Sequence, residues 1–349
     1  MRPRMVLLIV SAAFWAGSVV HGWALDRGLW DAYKDRFVSP DGRIIDRGNR
    51  QMSHSEGQGY GLILAVSADD RPTFERIRQW TRENLQVRGS DRLLAWAWGQ
   101  RPNGEWAVVD LNNATDGDLL VLYGLLKAFE RWNDPALRSE ALELARDIKK
   151  HVVTKVQNVP VLLPGYYGFV DPNGFVLNLS YYVYPALHTL ARYDDDPIWN
   201  RLLQAGMDLL HRARRGSWNL PPDWILLNGE GLNVFQRRSS RFGYEAVRVP
   251  LYLAWMNRPE ALQPWLMVLD WFDKTGSLPL WVDVVDPAVS LTEAPAGFYA
   301  VWAVAAQRLN RLEAADKLWN RAHEKVEREK DDYYSATLYL LSLRALEGP

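Results

Sequence analysis

The 349-residue chain has no cysteine, which excludes disulfide staples and thiol chemistry. It also has no excess of either charge. Its 41 basic and 42 acidic residues leave a formal net of −1, so there is no basic field to draw nucleic acid. The six histidines, at positions 21, 54, 151, 188, 211 and 323, show no metal-ligand spacing. After the N-terminal segment there is no second long apolar run, so the body of the chain is not expected to insert in a membrane. "GQGYG" at 57–61 is no dinucleotide fingerprint, because its spacing is wrong and no strand is expected before it. What the chain has in plenty is aromatic surface: 17 Trp, 15 Tyr and 10 Phe. Core packing accounts for many of these, and a groove for sugars also needs flat apolar platforms.

Residues 1–24 read as an export signal. Arg2 and Arg4 supply the positive start, "MVLLIVSAAFWAGSVV" the apolar centre, and Gly22-Trp23-Ala24 a cleavage site. This makes Leu25 the expected mature start, residues 25–349 a single domain, and the periplasm or exterior the expected location.

The rest is helical by apolar spacing. Twelve helices are expected, near 26–36, 56–68, 72–86, 114–131, 134–151, 180–193, 197–214, 244–257, 259–274, 294–309, 311–328 and 333–346. Short connections alternate with long ones at about 87–113, 152–179, 215–243 and 275–293. Such regular hairpins predict a closed toroid of six helical pairs, with an open solenoid as the alternative. Pieces of β structure are expected in the long loops, as in "VLLPGYYGFV". In a toroid the inner helices start on one face, so a site there would gather residues from distant parts of the chain.

The stretch "SHSEGQGYG", Ser53 to Gly61, admits two readings. Ser53 and Glu56 fit a capping box at a helix start. Alternatively, Glu56 is a catalytic acid, and Gly57, Gly59 and Gly61 admit a bulky substrate to the backbone. Other expected helix starts carry Asp116 and Asp118 in "NNATDGDLL", Ser180, Tyr181 and Tyr182 in "LNLSYYVYP", Tyr244, Glu245 and Arg248 in "FGYEAVRVP", and Tyr333 and Tyr334 in "DDYYSATLYL". Acidic residues suit helix N-termini without any catalytic role. Capping does not explain the glycines, the tyrosines, or an arginine three residues after a carboxylate. Two carboxyls across a groove are the equipment of glycoside hydrolysis. The donor must hold its proton near neutral pH, for which Asp116 could supply a neighbouring negative charge. The base must be ionised, which Arg248 beside Glu245 favours.

The "SEGQGYG", "NNATDGDLL" and "GYEAVR" stretches resemble the three blocks of glycoside hydrolase family 8, over a span from about residue 26 to the end. The resemblance implies an all-α (α/α)6 barrel with long loops around a groove, and inverting hydrolysis of a β-1,4-glucan with no metal or other cofactor. By match to the motifs, Glu56 corresponds to the general acid and Asp116 to the residue that binds and distorts the sugar. Glu245 stands at the position of the base, and Arg248 at that of the arginine contacting it. Trp96 or Trp98, in "RLLAWAWG", falls where the family has a stacking tryptophan, and Tyr181, Tyr333 and Tyr334 where it has groove tyrosines. Members that accompany bacterial cellulose synthases usually have Asp as the base, whereas this chain has the longer Glu245. The resemblance to those members implies functional association with a synthase complex. Chitosanase, xylanase and mixed-linkage glucanase are the alternatives within the family; a non-catalytic glycan-binding protein is the alternative outside it.

Overall fold

A computed structural model describes residues 27–348. The expected export signal and the start at Leu25 lie outside the described residues. The helices are α1 (Arg27–Phe37), α2 (Ser55–Ser67), α3 (Arg71–Asn84), α4 (Thr115–Trp132), α5 (Pro135–Val152), α6 (Tyr184–Leu190) and α7 (Ile198–Ala213). Then come α8 (Arg248–Trp255), α9 (Pro259–Leu262), α10 (Leu266–Thr275), α11 (Ala296–Arg308), α12 (Leu312–Val326) and α13 (Tyr333–Ala345).

Composition sorts them into two rings. Helices α2, α4, α6, α8, α11 and α13 are apolar nearly all round, as in "GLILAV" and "VPLYLAW", and are buried along most of their length. A helix with no polar face needs cover on every side. They pack in the order α2, α4, α6, α8, α11, α13, and α13 returns to α2, closing the barrel. The outer helices are amphipathic. In α3, for example, Phe74, Ile77 and Trp80 face inward, while Asp70 caps the start by accepting the Thr73 N–H. Asp70 also accepts the Trp30 indole N–H at 2.9 Å and pairs with Lys34 at 2.8 Å. These contacts tie α1 to the α2–α3 turn, and the Tyr33 and Thr337 hydroxyls, 2.9 Å apart, join α1 to α13. The fold is the expected (α/α)6 barrel.

Small antiparallel sheets occupy the long loops. One is β1 (Ser53–His54), β2 (Ala97–Gln100) and β3 (Trp106–Asp110), with Ser53 opposite Trp98. A four-stranded sheet runs through Val170–Asp171, Gly174–Leu177, Ile225–Leu227 and Leu232–Val234.

Three expected helices differ. The one expected at 180–193 is a 3-10 turn, Leu179–Tyr182, then α6. Asn178 caps that turn, and Val183 between the two has a φ of +37°, which breaks helical continuity. The one expected at 259–274 is broken because Pro264 has no N–H to extend α9. The one expected from Tyr244 starts instead at Arg248. Pro250 cannot donate to the Ala246 carbonyl, so it falls in the first turn, where a missing N–H costs little.

The glycines of "GQGYG" serve packing. A Cβ on Gly57 would meet the Tyr333 hydroxyl at 2.5 Å, and one on Gly61 would meet Ile44 Cδ1 at 2.7 Å. One on Gly59 would stand 2.5 Å from Leu120 Cβ and 2.9 Å from the Val121 nitrogen. The expectation that these glycines open the backbone to substrate is therefore corrected: their space is filled by other protein groups. Replacing Gly59 by Ala should destabilise the fold by roughly 1–3 kcal/mol through overpacking of α2 on α4, seen as a lower urea midpoint with an unchanged slope.

Asp118, fully buried in the first turn of α4, accepts the Leu94 N–H at 2.8 Å and the Asn113 amide at 2.7 Å. It pins the tryptophan-bearing segment to the barrel. Burial pushes its carboxyl up to about 8, against those two hydrogen bonds. A carboxyl raised by folding stabilises the protein at low pH, and that contribution is lost as pH rises through the folded value. The difference in thermal midpoint between the parent and Asp118→Asn should therefore shrink from pH 5 to pH 8. A constant difference would show that Asp118 does not titrate in that window.

Candidate active site

Barrel closure brings the starts of α2, α4 and α8 and the Leu179–Tyr182 turn to one end, and Arg248 stands where they meet. Its side chain is 3% exposed. One terminal nitrogen, Nη1, donates to Glu56 Oε1 and, at 2.6 Å, to Asp116 Oδ2. The other, Nη2, donates to Glu245 Oε2 and, at 2.9 Å, to Ser180 Oγ. Its Nε reaches the Glu245 carbonyl at 3.3 Å, and the guanidinium carbon lies 5.3 Å from the Tyr181 ring centroid. One cation thus gathers three carboxylates, where pairing with Glu245 alone was expected.

Each carboxylate has further support. Glu56 Oε1 accepts the Tyr60 hydroxyl at 2.7 Å. Tyr60 is four residues along α2 and so lies on the same face. Among the described residues nothing bonds Glu56 Oε2 or Glu245 Oε1. Glu245 Oε2 accepts from the Asn178 amide at 3.2 Å, and Asn178 Oδ1 accepts from the Ser180 hydroxyl at 2.7 Å. Asp116 Oδ1 accepts its neighbour Gly117 N–H at 2.9 Å.

Three carboxylates around one guanidinium carry a net −2 when all are ionised. Burial pushes the Asp116 carboxyl up to about 7; Arg248 opposes the rise, and Glu56 and Glu245 add to it. Burial likewise raises Glu245, held back by Arg248 and pushed further by Glu56 and Asp223. Burial disfavours the charged form of Arg248, but Glu56, Glu245 and nearby tyrosines outweigh it and hold the proton firmly.

The capping box is not formed. Helix α2 begins at Ser55 after His54, whose side chain makes no cap bond, and Ser53 belongs to β1. Pairing with Trp98 takes Ser53 out of capping position, and Glu56 is drawn to Tyr60 and Arg248. Tyr244 and Glu245 lie in the turn before α8, not on it. Trp96 stacks on His54 with centroids 5.8 Å apart at 10°, and its indole N–H donates to Asp110 at 2.8 Å. Trp98 is enclosed by Trp80, Trp106 and the Arg43 guanidinium, at 5.4, 5.2 and 4.9 Å. Of the two, Trp96 adjoins Glu56, because its carbonyl accepts the Ser55 N–H at 3.0 Å. Tyr181 is half-buried beside Trp224, 5.9 Å between centroids. The Tyr334 hydroxyl donates to the Tyr244 carbonyl at 2.7 Å, in the turn that carries Glu245. Tyr333, expected in the groove, is instead only 5% exposed, with its ring edge-on to Phe37 at 5.8 Å. It is turned inward because Gly57 leaves room for its hydroxyl.

Sequence reasoning missed Tyr60 and Asn178. The i, i+4 spacing from Glu56 could have found the first. Nothing local marks the second, which reaches Glu245 from 67 residues away.

Residues 2–348 match the family described as Glycosyl hydrolases family 8. A probable endoglucanase of Novacetimonas hansenii is 37% identical over 89% of this chain and 88% of its own length. The structure of an endo-beta-1,4-glucanase from Acetobacter xylinum superposes with a TM-score of 0.79 at 35% identity, covering 92% of this chain and 97% of that one. That of an endoglucanase from Klebsiella pneumoniae superposes with 0.82 at 32% identity, covering 92% and 99%. With the barrel, the carboxylate cluster and the full-length match all in agreement, the chain belongs to glycosyl hydrolases family 8.

Proposed function

We propose that this protein is an endo-β-1,4-glucanase that cleaves glucan chains with inversion, using Glu56 as acid and Glu245 as base. The observation that carries the reading is the convergence of Glu56, Asp116 and Glu245 on Arg248, although Glu56 and Arg248 are 192 positions apart. The relatives named endoglucanases support the substrate class.

The free oxygens suggest the roles. Among the described residues Glu56 Oε2 has no partner, which leaves it available to carry a proton to the glycosidic oxygen. Glu245 Oε1 is likewise free to take a proton from water on the opposite face of the sugar. Inverting sites need about 6.5–9.5 Å between carboxyls to admit that water, and a guanidinium between the two glutamates acts as a spacer. In this reading Asp116, which shares Arg248 Nη1 with Glu56, holds the sugar. Below about pH 7 its retained proton limits the charge repulsion in the cluster. Trp96 offers a stacking face, and Tyr181 and Tyr334 flank Arg248 and Glu245. No metal enters these steps.

Residues 1–24 are a cleaved export signal in this reading, and the protein works outside the cytoplasm in functional association with a cellulose synthase complex. Among the described residues no helix is long and apolar enough to cross a membrane. The exported protein should have the mass of a chain starting at Leu25; a full-length mass in the soluble exported fraction would refute cleavage.

Glu56→Gln should lower kcat by roughly 1,000-fold, within the usual range for loss of a general acid, while leaving the thermal midpoint near the parent value. Activity within a tenth of the parent would move the acid elsewhere. Proton NMR of cellopentaose digestion should show the α-anomer forming first at the new reducing end. A first-formed β-anomer would overturn inversion, and binding without cleavage would favour a glycan-binding role.

A further inference from the structure

Asp223 lies in the loop before the Ile225–Leu227 strand and is 7% exposed. Its Oδ1 accepts the N–H groups of Gly243, at 3.0 Å, and Ala246, at 2.9 Å. Its Oδ2 accepts the Ser239 hydroxyl at 3.3 Å, and its own N–H donates to the Arg241 carbonyl at 2.6 Å. The two amides held by Oδ1 bracket Tyr244 and Glu245. These residues precede α8, so the regular helix does not hold them; only single-turn bonds from Val247 to Gly243 O and from Arg248 to Glu245 O run across the segment. A Cβ on Gly243 would stand 3.2 Å from Asp223 Oδ2, so the glycine lets the carboxylate approach closely. No cation pairs with Asp223 among the described residues. Two backbone amides and a hydroxyl could be satisfied by an uncharged acceptor, so the turn alone does not require a carboxylate.

We propose that Asp223 is a positioning residue for catalysis, clamping the Gly243–Ala246 turn so that the Glu245 carboxylate is aimed at the attacking water. This rests on the reading of Glu245 as the base. The Glu245 carboxylate is faced by Arg248 from its own segment, Glu56 from α2, Asp116 from α4, Tyr181 from the 3-10 turn, Tyr334 from α13 and Asp223 from its loop. Burial raises the Asp223 carboxyl, against the amides of Ala246 and Gly243. Its negative charge in turn favours protonation of Glu245. Removing that charge while keeping an acceptor should ionise the base at lower pH.

Asp223→Asn separates the two effects. Its Oδ1 can still accept both amides, and its Nδ2 can donate to Ser239. It should fold, keep kcat near the parent value at its optimum, and move the acid limb of the pH–rate profile to lower pH. Asp223→Ala loses the clamp and should lower kcat about 100-fold with KM little changed, as expected for a reacting group displaced by about 1 Å. Parental kcat in a folded Asp223→Ala, or an acid limb that stays in place in Asp223→Asn, overturns the proposal. If the alanine variant does not fold, the asparagine variant decides. Glu245→Gln, assayed in parallel, keeps the two claims apart. Activity there dismisses the base itself, whereas an inactive Glu245→Gln with an unmoved Asp223→Asn limb dismisses only Asp223.

Discussion

A single buried guanidinium organises this end of the barrel. Arg248 cannot leave its proton behind, and removing its charge from water is costly unless opposite charges meet it. Three carboxylates do so, from α2, from α4 and from its own turn. The dependence is mutual. Each carboxylate without Arg248 would be a poorly compensated charge in a protein wall, and Arg248 without them would be a worse one. Removing Arg248, which would leave three carboxylates uncompensated, belongs with the losses of a buried partner that commonly cost about 3–5 kcal/mol, whereas losing one carboxylate leaves Arg248 two others. The barrel supplies the means: its inner helices are too apolar to stand anywhere but in a closed ring, and the ring fixes where they begin.

Two forces act on an acid at a helix start. The macrodipole favours the anion, while burial favours the protonated form. At Asp116 and Asp118 burial prevails, since both carboxyls are pushed up despite lying in the first turn of α4. Their neighbourhoods then separate them. Asp118 faces a backbone amide and an asparagine, which hold a loop. Asp116 faces an arginine and, through it, two more carboxylates. Two acids in the same helical turn therefore do different work: one fastens the tryptophan segment, the other belongs to the cluster.

The sequence made the ring legible because the inner helices are apolar on every side and the loops alternate in length. Its carboxylate cluster was legible in part, because Glu56 and Asp116 lie in the first turns of helices that a toroid must bring together. What it concealed were contacts set by tertiary packing. Ser53 and Glu56 have the spacing of a cap, but strand pairing with Trp98 claims Ser53 first. Gly57 and Gly59 look like room for a ligand, yet Tyr333 and α4 already occupy that room. Tyr333 and Tyr334 are adjacent and look equivalent. One is turned into the core, and the other bonds to the turn bearing Glu245. No local pattern distinguishes them, because the distinction is made by a glycine nearly 280 residues earlier in the chain.

The longer arm of Glu245 finds its explanation in where α8 begins. A helix starting at Tyr244 would have placed residue 245 in its first turn, with the carboxyl carried on a rigid backbone. Pro250 sets the start at Arg248 instead, and Glu245 falls in the turn before it. From there its side chain reaches Asn178 on one side and Arg248 on the other with the same oxygen. An extra methylene adds a rotatable bond, and that freedom is a liability for a carboxylate that must hold one geometry. Two donors on Oε2 limit the freedom and leave Oε1 as the oxygen able to face water. Lengthening the arm and fastening its far end are thus coupled features of one arrangement. One fastening donor, Asn178, lies 67 residues from Glu245 and meets it only when the ring closes; the other, Arg248, stands one turn along and is itself held by α2 and α4.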